Sequence, residues 1–486
     1  MTKVFKFIKT KRKDKKKMKK ILVSLLLLVA LIANVFAMTG CLPGNKDEGG
    51  EEEGKINIHF YHTMGQNLSQ VLDYYVEEFE ALYPDINVIH EQVGGYDDVR
   101  DQISTQLTTG AQPNLAYCYP DHVALYNVAK AVMPLDDFIN STEEITLADG
   151  TKTIVGLTDE QKADFIEGYY NEGKAFGDGK MYTLPLSKST EVLYYNMDFF
   201  AKHSLSVPTT WEEMEALCAR ILEIDPKSVP LGYDSEANWF ITMTEQLGTP
   251  YTSATGEKFL FNDARNKAFV KEFREWYVKG YLTTQEIYGS YTSGLFTSTG
   301  EQKSYMSIGS SAGATKQCID GLKFKVGIAP IPQVDAENPK VISQGPSICV
   351  FENPDPQEER ASWLFLKFLT TNVGFQAEFS EASGYMPVIK SVANDPDYKA
   401  FLNSANNQNS GIAALSVKVG LEQADAYYVS PAFNGSSKAR DEVGALLQAV
   451  LLIDADGKLG LTDAQIDAEI DKLFNKAIEN CKYSAG

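Results

Sequence analysis

Gly309-Ser310-Ser311-Ala312-Gly313 matches the G-x-S-x-G pattern of a serine nucleophile on a strand-to-helix turn, and the strand-like run Tyr305–Ile308 precedes it. That chemistry needs an Asp or Glu and then a His downstream, because a serine without a base is a weak nucleophile. All five histidines, His59, His62, His90, His122 and His203, lie upstream. The hydrolase reading is rejected. The small residues are read instead as letting backbone N–H groups face a ligand. Asp454-Ala455-Asp456-Gly457 opens like a calcium loop, but Leu459 and Gln465 stand where the sixth and twelfth positions need Gly and Glu. His59, His62 and His90 could supply zinc ligands. On a continuous strand His59 and His62 face opposite sides, so structural histidines are expected. Paired carboxylates could serve a glycosidase, but so many acidic residues guarantee pairs by chance. No catalytic residue, metal or cofactor is expected.

The 486 residues are 44% hydrophobic and 23% charged, which excludes disordered, collagenous and small disulfide-bonded classes. Length suggests two large domains or three smaller ones, at ~150 residues each. The net charge of −20 is unevenly divided: residues 1–40 hold 11 of the 45 basic residues and one of the 65 acidic ones, leaving a body of net −30. Such a body repels a polyanion, so nucleic acid is not expected as a partner.

The first forty residues read as an address. Lys11-Arg12-Lys13 and Lys15-Lys16-Lys17 precede an apolar run, Ile21–Ala37, and then Met38-Thr39-Gly40-Cys41. Basic, apolar and small residues in that order predict a signal peptide over residues 1–40. A cysteine at its end predicts lipidation of Cys41. The apolar run is short for a membrane helix, which needs ~20 residues. Two acyl chains anchor stably, at about 0.8 kcal/mol per buried CH₂, where one does not. Met18-Lys19-Lys20 would open a compact signal peptide by itself, and translation is expected to start at Met18; a nascent-chain peptide containing Phe5 would overturn this. Residues 41–54, rich in Gly and Glu, read as an extended tether. Lipidation leaves Cys118, Cys218, Cys318, Cys349 and Cys481, with no CxxC and no metal spacing, so buried free thiols are expected.

The body opens with elements that can position a site. Ile56, Ile58 and Phe60 alternate as in a strand. Leu68, Val71, Leu72, Tyr75, Phe79 and Leu82 repeat at helical spacing until Pro84. Ile86–Ile89 reads as a strand, 97–109 as a helix closed by Gly110, and Leu115–Tyr119 as a third strand. This is a βαβαβ unit with a parallel sheet. Ligands bind beyond the carboxyl ends of such strands, which puts 62–66, 94–97 and 119–122 on a binding rim. Further on, 182–196 reads as two short extended pieces, Thr210 caps a helix beginning near Trp211, and Thr462 caps the last helix.

Seven segments in order carry a resemblance: KINIHFYHTM, TTGAQPNLAY, LPLSKSTEVLYYNMDFF, VPTTWEEM, MSIGSSAG, VGIAPIPQ and ASGYMPVIKS. From Lys55 to the last helix the body resembles the extracellular solute-binding proteins of bacterial carbohydrate ABC importers. It looks most similar to the glycerol-3-phosphate-binding type. The resemblance implies an α/β, two-lobed periplasmic-binding-protein-like fold of type II, with the ligand cleft between lobes joined by crossing strands. It implies lobes of 55–160 plus 331–375 and 161–330 plus 376–486. By motif, ligand contacts would be Tyr96, Ser189, Ser311 with its neighbour Ser310, Gly345 and Tyr385, while the family's acidic hydroxyl binder falls on Asp121 after a one-residue shift. The family's phosphate-binding Arg does not align cleanly: Arg440 is near but out of register. A mono- or oligosaccharide is therefore expected, with glycerol-3-phosphate or a glycerophosphodiester as the alternative, ahead of a surface lipoprotein glycosidase or adhesin. The resemblance also implies no chemistry on the ligand and delivery to membrane permease subunits. The implied protein is a monomer, lipid-anchored on the extracellular face of the cell membrane.

Sugars need carboxylates, amides and hydroxyls for their OH groups and an aromatic face for their C–H side. Trp239, which follows the polar run Asp234-Ser235-Glu236-Ala237-Asn238, is the best stacking candidate, with Tyr385 second. Asp121 would accept from ligand hydroxyls, with His62 and Gln66 doing so from the opposite side.

Overall fold

The computed structural model describes residues 50–176 and 178–485. The signal peptide, Cys41 and most of the tether lie outside the described residues. Two sheets organise the rest. In the first, Ile56–His62 pairs in parallel with Ile86–Gln92 and Leu115–Cys118. Its alternation buries Ile58, Phe60 and His62 on one face, with His59 on the other. Helix Gln66–Leu82 covers this sheet with Leu72, Tyr75, Val76 and Phe79, residues three and four apart on one face. Strand Ser347–Val350 then adds antiparallel to Leu115–Cys118, and Thr183–Pro185 completes the edge. Trp363, Phe365 and Phe375 pack with Phe60 and Phe79 in the first lobe's core.

The second sheet is built on Ser189–Asn196. It pairs antiparallel with Met306–Ser310 along its length, with Val341–Gln344 at its start and with Val326–Ala329 at its end. Leu231–Tyr233 and Leu282–Thr284 extend the sheet in parallel. Trp239, Phe240, Phe273, Trp276, Leu447 and Ile470 fill the second lobe's core. The last helix, Asp463–Ala485, docks there through Ile466, Ile470, Phe474 and Ala477. Cys118, Cys218, Cys318, Cys349 and Cys481 are all free and buried, as expected.

The lobe boundaries differ from those expected at every crossing. Residues 161–187 belong with the first lobe, because Phe165 and Tyr169 join its core and Thr183–Pro185 joins its sheet. Residues 331–344 belong with the second, where Ile331, Val341 and Ile342 are core. Residues 376–402 return to the first, through Phe379, Val388, Ile389, Val392 and Tyr398. Two of the crossings, 187–188 and 345–346, are only two residues long, too short to carry a periodic signal.

Three segments meet here, 187–188, 343–346 and 385–386, the last of them within the first lobe. Lys188 of the first exchanges backbone hydrogen bonds with Met386, at 2.9 and 2.6 Å. Its ammonium forms a buried ion pair with Glu172, whose other carboxylate oxygen accepts from Ser343 Oγ at 3.1 Å. Gly345 lies beside them at φ +106°, a region that L side chains rarely adopt, and a Cβ there would stand 2.5 Å from Ser187 O. Gly345 is thus a conformational requirement of the hinge.

Candidate functional site

The lobes face one another across a cleft with two chambers. The smaller holds Tyr119, Pro120 and Asp121, which follow strand Leu115–Cys118 of the first lobe. Opposite them are Tyr251, Ser430 and Arg440 of the second, and its volume is ≈ 50 Å³. The larger, of ≈ 510 Å³, is lined by Glu191, Asp234, Asn238, Tyr291, Ser310, Gln317 and Tyr385 among others. Gln344 lines both. Arg100 of helix Tyr96–Gln106 bridges the lobes to Ser437 Oγ and Asp441, each at 3.3 Å. Asp441 is partly exposed, so this pair contributes at most about 1 kcal/mol to holding the lobes together.

Electrostatics concentrate in the smaller chamber. Asp121 Oδ2 is buried and accepts no hydrogen bond among the described residues. Arg440 donates to Asn238 Oδ1 and lies 5.9 Å from the centroid of the Tyr119 ring. Burial works against its charge, but Asp121 and the surrounding tyrosines outweigh that and hold its pKa above the ordinary value. Tyr96 stacks on Tyr119 at 4.4 Å, and its hydroxyl is 3.5 Å from that of Tyr385. These rings form an aromatic wall on the first lobe.

Behind the larger chamber, Tyr233 donates to Glu191 Oε2 at 2.7 Å. Burial pushes the Glu191 carboxyl up to about 7, despite hydrogen bonds from Tyr233 and Asn238 and the attraction of Arg440. An unfolded Glu titrates near ~4.3, so the folded state holds this proton more tightly. The stability from this group is complete at acid pH and is lost as pH rises through about 7. Urea unfolding of wild type and Glu191→Gln should therefore diverge. Wild type should lose on the order of 2 kcal/mol relative to the variant between about pH 5 and about pH 8. Parallel pH curves would refute this. Burial likewise raises the pKa of Asp234, whose Oδ2 would stand 2.8 Å from a Cβ at position 309, so a side chain there would have to displace the carboxylate.

Known proteins decide what such a cleft belongs to. Residues 74–405 match the family described as bacterial extracellular solute-binding protein. The chain belongs to that family. It is a solute-binding protein of an ABC importer and not an enzyme. The sn-glycerol-3-phosphate-binding periplasmic protein UgpB of Escherichia coli (strain K12) is 24% identical over 356 residues, covering 70% of this chain and 76% of that one. UgpB from Mycobacterium tuberculosis in complex with glycerophosphocholine superposes with a TM-score of 0.68 at 17% identity, covering 88% of this chain and 99% of that one. An ABC substrate-binding protein from Listeria monocytogenes in complex with cycloalternan gives 0.69 at 18%, covering 87% and 99%. These structures share the two-lobed, type II periplasmic-binding fold.

Within this solute-binding protein the expected site residues divide. Asp121, Ser310 and Tyr385 line the cleft, and Tyr96 backs it through Tyr119 and Tyr385. Gly345 shapes the hinge. Ser189 and Ser311 are buried and line neither chamber; Ser311 Oγ accepts from Thr190 N–H at 3.2 Å. Trp239 is fully buried, packed on Tyr233 and Phe273 with centroids 4.7 and 4.1 Å away, so it is a core residue rather than a stacking platform. Helix Glu236–Gln246 turns Trp239 inward and brings Asn238 to the larger chamber. The polar run before Trp239 marked the right segment. Gln66 is exposed at a helix start, lining neither chamber.

His62 is buried outside the chambers. Its Nδ1 accepts from Met64 N–H at 3.1 Å, which leaves Nε2 to donate to His90 Nδ1 at 2.9 Å. His90 then donates to Asp73 at 2.8 Å. Burial, with His90 beside it, pushes the His62 pKa down to about 3, so it is a neutral structural link. Sequence reasoning passed over Tyr119, Glu191, Asp234, Asn238 and Gln344 as ligand-facing groups. Glu191 and Asp234 stood in segments already marked as motif or polar run; Tyr119 stood on the predicted rim.

Proposed function

We propose that the protein binds a carbohydrate in this cleft and delivers it to the importer's permease subunits. The observation that carries the reading is the pairing of Asp121 and Arg440 from opposite lobes in one pocket, with Asp121 Oδ2 lacking any protein donor among the described residues. A carboxylate that accepts from hydroxyls and a guanidinium that donates to them suit a neutral polyol, whose OH groups both give and take. The tyrosine wall supplies a face for its C–H side. Ligand seated between the lobes would favour their closure by contacts made on both.

A second reading is favoured by Arg440 itself. It forms no direct ion pair with a carboxylate among the described residues, and it suits a phosphate oxygen. A glycerol-3-phosphate or glycerophosphodiester ligand, as named for the two UgpB relatives, would use it. Thermal unfolding against mono- and oligosaccharides, polyols and glycerol phosphates tests both. A probe at 100 times its dissociation constant adds about 2.7 kcal/mol to the folded state. A shift with neutral sugars supports the first reading, and one confined to phosphates replaces it with the second. A panel without any shift removes both.

The receptor acts as a monomer held at the extracellular face through lipid on Cys41. Metabolic labelling with radioactive palmitate should mark wild type and not Cys41→Ser. Equal labelling would remove the anchor.

A further inference from the structure

The smaller chamber, ≈ 50 Å³, is shaped by charge, but most of the cleft is the ≈ 510 Å³ chamber on the other side of Gln344. Pockets for whole organic ligands run from about 300 Å³ upwards. The smaller chamber is below that size, so only hydroxyls of a ligand enter it, and a single sugar unit leaves much of the larger chamber unfilled. The larger chamber is also equipped for hydrogen bonding. Gln317 is almost fully buried at its wall, its Nε2 donates to Ser307 Oγ at 2.9 Å, and its Oε1 has no protein donor among the described residues.

Tyr291 lines the same chamber and is 63% exposed. A large aromatic ring left in water forgoes the burial that normally stabilises it. Here the neighbouring residue prevents retreat. Thr292 is fully buried, and its N–H and Oγ1 both donate to Asp234 Oδ1, at 2.6 and 2.7 Å. It packs over Gly232, where a Cβ would stand 2.5 Å from the Thr292 Cβ. The backbone beside Tyr291 is therefore pinned, and the ring is presented rather than trailing. Partial burial raises the pKa of its hydroxyl, and Asp234 of the second lobe and Asp97 of the first add to that. Tyr291 thus stands where the lobes approach, above a chamber that Tyr385 also lines.

We propose that the ligand has at least two linked units and that Tyr291 selects for the longer molecule. One unit reaches Asp121 and Arg440 with its hydroxyls; the next lies against the Tyr291 ring with a hydroxyl toward Gln317 Oε1. The inference rests on the carbohydrate reading and adds to it a minimum ligand size and the residue that measures it.

Titration calorimetry of wild type, Tyr291→Ala, Tyr291→Phe and Tyr288→Ala tests it. The probes are glucose, galactose and mannose, their α- and β-linked di- and trisaccharides, glycerol 3-phosphate and glycerophosphocholine. Wild type should bind one of the di- or trisaccharides at least about tenfold more tightly than its monosaccharide. Tyr291→Ala should lose about tenfold on that oligomer and much less on the monosaccharide. Tyr291→Phe, which keeps the ring, should recover most of the loss, and Tyr288→Ala, at the end of the preceding helix Gln285–Tyr288 and outside the chamber, should match wild type. A monosaccharide or glycerol 3-phosphate bound as tightly as any longer probe overturns the proposal. So does a Tyr291→Ala variant that keeps full affinity for the best oligomer; in either case the cleft remains a binding site. A wild type that binds only glycerol 3-phosphate or glycerophosphocholine, or no probe at all, overturns the carbohydrate reading as well.

Discussion

Arg440→Ala should weaken ligand binding about 10- to 100-fold, and Asp121→Asn should then reveal which ligand chemistry the cleft takes. A hydrogen bond to a charged group contributes about 1.5–3 kcal/mol, and a ligand held by the guanidinium loses it in the alanine variant. Arg440 is placed to make such a bond. Its charge is balanced by Asp121, it donates to Asn238, and it sits beside Tyr119. The Asp121 variant separates the two readings by sign. A neutral sugar loses a strong acceptor for its hydroxyls, so affinity should fall at least tenfold, the equivalent of ~1.4 kcal/mol. A phosphate loses a repelling neighbour, so affinity for glycerol 3-phosphate should rise. Calorimetric titration with the tightest probe measures both. Unchanged affinity in both variants would move the ligand out of the smaller chamber.

The Lys188–Glu172 pair should give the largest effect on stability. Both side chains are buried, beside the two crossings at 187–188 and 345–346. Charges there have lost their hydration, and their mutual attraction mainly offsets that loss. Glu172→Ala leaves a buried ammonium without its counter-charge, and it also strips Ser343 Oγ of its acceptor. The expected cost is about 3–5 kcal/mol in urea unfolding. Lys188→Met should cost a similar amount, because Glu172 is then buried unpaired. The double variant, Lys188→Met with Glu172→Gln, should be far less damaged than the sum of the two, since no charge remains to be desolvated. Additive losses would show that the pair acts through packing instead. The effect belongs to the hinge and should leave the elements of either core in place.

How far the site was legible depended on the range of the interactions involved. Strand Ile56–His62, helix Gln66–Leu82 and strand Leu115–Cys118 follow from residue spacing, because burial of one face imposes a period of two or 3.6 along the chain. The rim at the carboxyl end of the third strand follows from the parallel βαβ arrangement, and it brought Asp121 and its neighbour Tyr119 to the cleft. Trp239 shows where such reasoning stops. A helix start beside a polar run places a tryptophan near a site, but which side of the helix faces the cleft is decided by the neighbours. Tyr233 and Phe273 took the indole into the core and left Asn238 outside.

By itself the sequence determined the mixed α/β class, the acidic body, the signal-like first forty residues, the family and the first lobe's βαβαβ unit. Those rest on composition, on ordered motifs and on periodicity, all of which are local in the chain. Only the tertiary structure decided the lobe boundaries, the buried Lys188–Glu172 pair and the meeting of Asp121 with Arg440. These join residues far apart in sequence, and no spacing along the chain records them. The physical reason is the same in each case. A pair of charges or rings is selected by the distance at which folding leaves it, and that distance is a property of two lobes rather than of one segment.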